Sequence, residues 1–306
     1  MSNKAGNKGF LYAVLSFTVW GFLPLYWRAI AAIDALHILA LRILLSLAMV
    51  GIILLAKRNY AWLTVFKKPG KAGYMILTSL VLSFNWGLYI WAVNRGHTLD
   101  ASLGYYINPL VSILLGLIFF RERLRPLQWA AVAIAFIGIL IITVLSGFVP
   151  WISLILALSF GIYGMLKKLV PLSALESLGA ETLAALPLGF LLLLFSIKGA
   201  EGIPAYSGLQ GILYVASLPV HVWLLISLCG AVSALPLYFF AKGAKLLPLS
   251  ALGFIQFISP TIQFVLGIFV FGEAFLPHNI GAFACIWTAV IIYLISLKQT
   301  RGSNPL

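Results

Sequence analysis

The sequence predicts an all-α integral membrane protein of ten transmembrane helices, arranged as two inverted five-helix repeats. Three observations predict it: an apolar excess too large for a soluble globule, apolar runs of bilayer-spanning length along the whole chain, and matching residue patterns in the two halves. Of 306 residues, 62% are hydrophobic and 9% charged, against roughly 45–50% apolar and 25% charged in soluble domains. Crossing a hydrocarbon core of ~30 Å takes about 17–25 apolar residues as helix. In helix a segment pairs its own backbone polar groups, as a bilayer demands.

The first expected span, Phe10–Trp27, follows Lys4 and Lys8. With Ala29-Ile30-Ala31 it has the outline of a signal peptide, but the run is 18 residues long and Trp27 and Arg28 stand where a cleavage region is small and uncharged, so it reads as an anchor. Ala35–Ala56 and Ala72–Val93 flank five basic residues between Lys57 and Lys71, and Ala101–Phe120 and Leu127–Leu145 flank Arg121, Arg123 and Arg125. Pro150–Leu166 stops at Lys167-Lys168, read as loop residues, before Leu172–Ile197. Lys242 and Lys245 separate Val220–Phe240 from Leu246–Phe271, and Asn279–Leu297 precedes Lys298 and Arg301.

The net charge of +13 is spread over these connecting segments and not gathered on one soluble face, so it is a topology signal and no nucleic-acid partner is expected. With a cytoplasmic amino terminus, sixteen Lys and Arg fall inside and three (Arg28, Arg95, Lys198) outside, while Arg42 lies within a span. By the positive-inside rule this predicts a multi-pass protein of a bacterial-type inner membrane with both termini cytoplasmic.

The halves align. Pro109, Gly116, Glu122 and Pro126 each meet the same residue type 151 positions later, at Pro260, Gly267, Glu273 and Pro277. Ala101–Gly104 resembles Ser250–Gly253, Trp20-Gly21 meets Phe160-Gly161, and Ala35–Arg42 meets Ala174–Glu181. Residues 1–146 and 147–306 are thus two repeats of five helices, and an odd number inverts the second. The loop Arg121–Arg125 carries three basic residues and its partner Gly272–His278 no Lys or Arg, as loops on opposite faces require. Secondary transporters are often built this way, with the solute site near the midplane.

Of the 27 charged residues, Arg42, Glu176 and Glu181 fall inside expected spans, where a central charge costs about 2.5–3.5 kcal/mol on insertion scales. Arg42 lies seven residues into its span from outside, and Glu181 nine residues into its span from inside. The two are repeat equivalents of opposite sign, read as a coupled pair: Arg42 for an anionic group, Glu181 for protons or a cationic group. Glu176, near a helix start, suits that terminus. His37 and His221, near outer span ends, read as solvated interfacial residues.

Pro109 and Pro260 are expected helix breaks, because proline removes the bond to the carbonyl four residues earlier, here those of Tyr105 and Gln256. Freed backbone groups must face protein or a wet cavity, so Tyr106, Asn108 and Gln256 are candidate cavity walls. Asn85-Trp86 lies mid-span, where an amide needs a partner, and Trp20, Tyr89, Tyr105 and Tyr163 complete a candidate amphipathic lining. Tyr60, Trp62, Trp151 and Trp223 fit interfacial belts better.

As a set, Trp20–Tyr26, Asn85-Trp86, Trp91–Asn94, Ala101–Leu110, Glu122-Arg123, Gly253–Gln256 and Pro260-Thr261 resemble the RarD proteins of the EamA branch of the drug/metabolite transporter superfamily. The resemblance covers nearly the whole chain. It implies a ten-helix permease of the cytoplasmic membrane, in a group often labelled chloramphenicol-sensitivity permeases. In the second span the family pattern has a histidine immediately before the arginine; here that place is Leu41, with Arg42 retained and a histidine at His37. The family glutamate of the seventh span matches Glu181.

The expectation is therefore a secondary transporter of a small metabolite or amphipathic drug-like solute, driven by an ion or proton gradient through alternating access. The alternative is a passive channel or facilitator for small polar solutes. There is no G-x-x-x-x-G-K-[ST] loop for ATP, and neither H-E-x-x-H nor a serine nucleophile elbow, so no enzyme is expected. Cys229 and Cys285 both fall in apolar spans, which argues against a disulfide framework, and no metal or cofactor is expected. The partners expected are the small solute, the lipid bilayer and coupling protons.

Overall fold

The computed structural model describes residues 3–30, 33, 35–94, 98–146, 151–194, 213, 216–217, 219–272 and 278–302, and these are helices joined by short turns and irregular segments, with no strand. The helices are α1 (Asn3–Ala29), α2 (Ala35–Ala56), α3 (Ala61–Thr64), α4 (Pro69–Asn94), α5 (Thr98–Phe119), α6 (Pro126–Ser146) and α7 (Trp151–Leu169). They continue with α8 (Ala174–Ala184), α9 (Leu186–Leu194), α10 (Val220–Leu246), α11 (Leu249–Gln256), α12 (Ile258–Phe269) and α13 (His278–Gly302).

Among the described residues six stretches are long and apolar enough to cross a bilayer: Gly6–Ala29, Leu36–Ala56, Pro126–Leu145, Trp151–Leu169, Val220–Leu246 and Leu249–Phe269. A seventh is α8 with α9, bent by 44°, if that pair is one broken span. Many large apolar side chains face outward, among them Ile52, Val144, Leu228 and Phe269 at 67, 72, 52 and 80% exposure. An apolar exterior on this scale suits lipid and not water.

Two devices recur in both halves. α5 ends on Arg121 (φ 51°), with the Glu122 N–H donating to Gly116 O, and α12 ends on Gly272 (φ 69°), with the Phe271 N–H donating to Leu266 O. These left-handed residues, which satisfy helix-end carbonyls, lie 151 positions apart, the spacing that aligns Pro109 with Pro260. The packing recurs as well. α1 lies on α10 and on α12, as α7 lies on α4 and on α5; α2 lies on α10 as α8 lies on α4; and α6 packs along α13.

The two prolines behave differently. Pro260 stands in the first turn of α12, just beyond the turn at Phe257 that separates α11 from α12, where a missing N–H is tolerated. Pro109, by contrast, lies inside the continuous helix α5. A break that the sequence did not suggest comes at Ala185, two residues before Pro187, between α8 and α9. Close approach replaces a break at Pro109: a Cβ on Gly253 would lie 2.6 Å from the Pro109 carbonyl oxygen, so only glycine lets α11 reach α5.

Two interfacial expectations are corrected. His37 is 4% exposed and Trp62 5%, so both are buried. Trp62 lies against Gly179, whose missing side chain makes room for its indole. Tyr60, Trp151 and Trp223 are exposed at 52, 49 and 40%.

Candidate functional site

A cavity of about 280 Å³ sits between α1, α2, α4, α5, α7, α11 and α12. From α1 it is lined by Phe17, Trp20, Leu23, Pro24 and Trp27, from α2 by Ile38, Leu39 and Arg42, and from α4 by Asn85, Trp86 and Tyr89. Tyr105 and Asn108 (α5), Phe160 (α7), and Gln256, Ser259, Pro260 and Gln263 (α11 and α12) complete it. On α1 and α4 these are residues of the carboxyl-terminal half, and on α2 and α5 of the amino-terminal half. The cavity therefore occupies the end of the bundle opposite the amino terminus.

The lining is aromatic with a few placed polar groups, the usual make-up of a small-molecule site. Arg42 is its one formal charge among the described residues. Its guanidinium carbon lies 3.9 Å from the centre of the Trp86 ring and 4.9 Å from that of Trp27, and its Nε donates to Ser233 Oγ at 3.1 Å. Stacking on indole faces offsets desolvation of the cation. The Asn85 amide donates to Leu156 O at 2.9 Å and Ser159 Oγ at 2.8 Å, fixing α4 to α7. Gln256 Oε1 accepts from Ser112 Oγ, and Gln263 Nε2 donates to Trp20 O, both at 3.3 Å. Asn108 Oδ1 is buried without a hydrogen-bond partner among the described residues.

An aromatic floor closes the cavity toward the amino-terminal end. Trp20 and Phe160, which align between the two halves of the sequence, meet edge to face at 5.6 Å, and Phe240 packs on both at 5.5 Å. Tyr163 stacks on Phe240 at 5.8 Å, is wholly buried, and donates its hydroxyl toward Glu181 Oε2 at 3.4 Å.

Below this floor lies an ion pair. Lys167 Nζ is 2.8 Å from Glu181 Oε2 and donates to Ser177 Oγ at 2.7 Å, with the side chains 0 and 3% exposed. Glu181 Oε1 has no hydrogen-bond partner among the described residues.

Trp20, Asn85, Trp86, Tyr89, Tyr105, Asn108, Gln256, Pro260 and Arg42 thus surround one cavity. Tyr106, Pro109, Tyr163 and Glu181 are not on its wall; the Tyr106 hydroxyl donates to Pro260 O at 3.4 Å. Arg42 and Glu181 have different partners and not each other. Seven residues from one face and nine from the other, at ~1.5 Å per residue, leave them on opposite sides of the midplane. The partner that sequence reading missed is Lys167, assigned to a loop although α7 continues to Leu169. The available signal was Tyr163 four residues before it, on the same helix face.

Residues 7–144 match the model of the EamA-like transporter family. The chain is 42% identical over 309 residues to the uncharacterized transporter YojE of Bacillus subtilis, covering 99% of each chain. It is 43% identical to protein RarD of Streptomyces exfoliatus, over 98% of this chain and 94% of that one, and 35% identical to protein RarD of Escherichia coli over 98% of both. The chain belongs to the EamA-like transporter family. Within it, this permease is RarD-like. A solved crystal structure superposes with a TM-score of 0.69 at 20% identity, covering 93% of the permease and 96% of that chain, a likeness of fold alone.

Proposed function

We propose that this permease is a secondary active transporter of a small metabolite or amphipathic drug-like solute, working by alternating access in a bacterial inner membrane with both termini cytoplasmic. Ten spans form two inverted repeats, residues 1–146 and 147–306. The recurring helix ends at Arg121 and Gly272 and the exchanged packing partners of α1 and α7 support that reading. Arg42 contacts the solute, and Glu181 exchanges a proton, with Lys167 as the cation it releases on protonation.

The observation that carries the proposal is the unequal closure of the two ends. A polar-aromatic cavity with a single cation occupies one end, and an aromatic floor backed by a buried ion pair blocks the other. A repeat-related exchange of these two states would carry a bound solute across.

The test is flux in proteoliposomes, with the solute first found by thermal stabilisation of purified protein in a metabolite screen. Saturable uptake that accumulates against a gradient when a pH difference is imposed is the expected outcome. Glu181→Gln should lose pH-driven accumulation while keeping solute exchange. Flux that never saturates and ignores the pH difference would make the protein a passive facilitator.

A further inference from the structure

Resting on the reading of this cavity as the solute site, we propose that its solute is an organic monoanion: a carboxylate on a small, flat, mostly apolar body that also carries one hydrogen-bond donor. Arg42 uses Nε for Ser233, and among the described residues its two terminal nitrogens have no acceptor. Those nitrogens form the edge of the planar fork that matches a carboxylate with two parallel bonds. The neighbouring indoles of Trp86 and Trp27 hold the fork in place without neutralising it.

The wall carries no carboxylate among its described residues. The deepest one, Glu181, lies behind Tyr163 and is already paired with Lys167. An ammonium group in the cavity would therefore face a guanidinium with no carboxylate beside it among the described residues, which disfavours cations and zwitterionic amino acids alike. One unpaired cation matches one negative charge. Asn108 Oδ1, buried and without a partner, supplies an acceptor that a hydroxyl or N–H on the solute would satisfy. At about 280 Å³ the cavity is at the small end of ligand sites, which run about 300–1,000 Å³, so a single-ring acid fits better than a larger drug. The ring would lie among Trp20, Trp86 and Phe160.

A charge-reading label tests this without knowing the solute. On a Cys229→Ser, Cys285→Ser background, Ser259→Cys places one thiol on the cavity wall. Its modification in detergent is timed with the anionic 2-sulfonatoethyl and the cationic 2-(trimethylammonio)ethyl methanethiosulfonates, each normalised to its rate on a free thiol. The anionic reagent should react at least about tenfold faster, the low end of electrostatic steering in a cleft. The preference should persist in Arg42→Lys and fall to near one in Arg42→Gln.

Equal rates for both reagents, or a preference unchanged in Arg42→Gln, would overturn the anion assignment and leave the solute site standing. A thiol inert to both reagents would overturn the site itself. Because Arg42→Gln can fail to fold, the unmutated protein gives a second measurement: 3-(4-hydroxyphenyl)propanoate, whose phenol supplies the donor, should raise its unfolding temperature, and the matching amide and 2-(4-hydroxyphenyl)ethylamine should not. Equal stabilisation by the amide or the amine would also overturn the proposal.

Discussion

Lys167 and Glu181 are joined at 2.8 Å in the second half of the chain, at the two places where Trp27 and Arg42 stack at 4.9 Å in the first half. The spacing that aligns Trp20 with Phe160 aligns Trp27 with Lys167, and Arg42 aligns with Glu181. The α1–α2 link and the α7–α8 link, made at aligned positions of the sequence, thus use two chemistries. Beside the cavity the link is a cation on a ring, and beneath the floor it is a cation on a carboxylate.

That difference predicts the response to neutralisation. Lys167→Met or Glu181→Gln alone strands a buried charge and should lower stability by about 3–5 kcal/mol, read as thermal unfolding in detergent. The double variant should recover most of the loss. A double variant as unstable as either single one would mean that the pair does not hold α7 to α8. A double variant that folds but no longer accumulates solute on a pH difference would separate the coupling role from the structural one.

Glu122 makes a second testable link. Its carboxylate accepts from the Leu249 N–H at 2.6 Å and from the Ser250 N–H and hydroxyl at 2.9 and 2.6 Å, so the end of α5 caps the start of α11. Glu122→Ala should cost about 1–3 kcal/mol, the penalty for leaving such donors unpaired, and Glu122→Gln less. An unchanged unfolding temperature in the alanine variant would show that water replaces the cap at no cost.

Gly253→Ala should be harmful out of proportion to its size. The added methyl would sit 2.6 Å from the Pro109 carbonyl oxygen, a backbone atom that no rotamer change can move. A markedly lower yield of monodisperse protein is expected, whereas Gly281→Ala, with open space around it, should behave as the parent does. Equal yields would mean that α5 and α11 are less tightly docked.

The proposed inverted repeat predicts that reporter fusions after Arg125 and after Pro277 lie on opposite sides of the membrane. Same-side reporting would remove both the ten-span count and the inversion.

Sequence reading found the apolar runs, because bilayer length and helix periodicity leave few alternatives, and where their residues are described they are largely helical, with Leu172–Ile197 divided at Ala185, Leu246–Phe271 divided at Phe257, and residues 150 and 195–197 outside the described residues. It also singled out much of the cavity wall: Asn85, Asn108 and Gln256 stand out as amides in apolar spans. It did less well where helices end and break. Lys167 looked like a loop residue because hydropathy stops at the first charge, while the helix continues as long as a carboxylate such as Glu181 can meet that charge. Pro109 and Pro260 look alike in sequence, but a proline that begins a helix and one that sits inside a helix differ only in what their neighbours do. Tyr163, expected on the wall, lies beneath the floor instead, because its hydroxyl meets the Glu181 carboxylate there.

The Glu122 cap also has a mechanical consequence. With a carboxylate at the end of α5 gripping three donors at the start of α11, a rotation of either helix would carry the other with it. The grip ends at Gln256, and Phe257 is where the chain between α11 and α12 can flex. Torque applied by a solute at Ser259 or Gln263 would then be taken up at that joint before it reached the clamp.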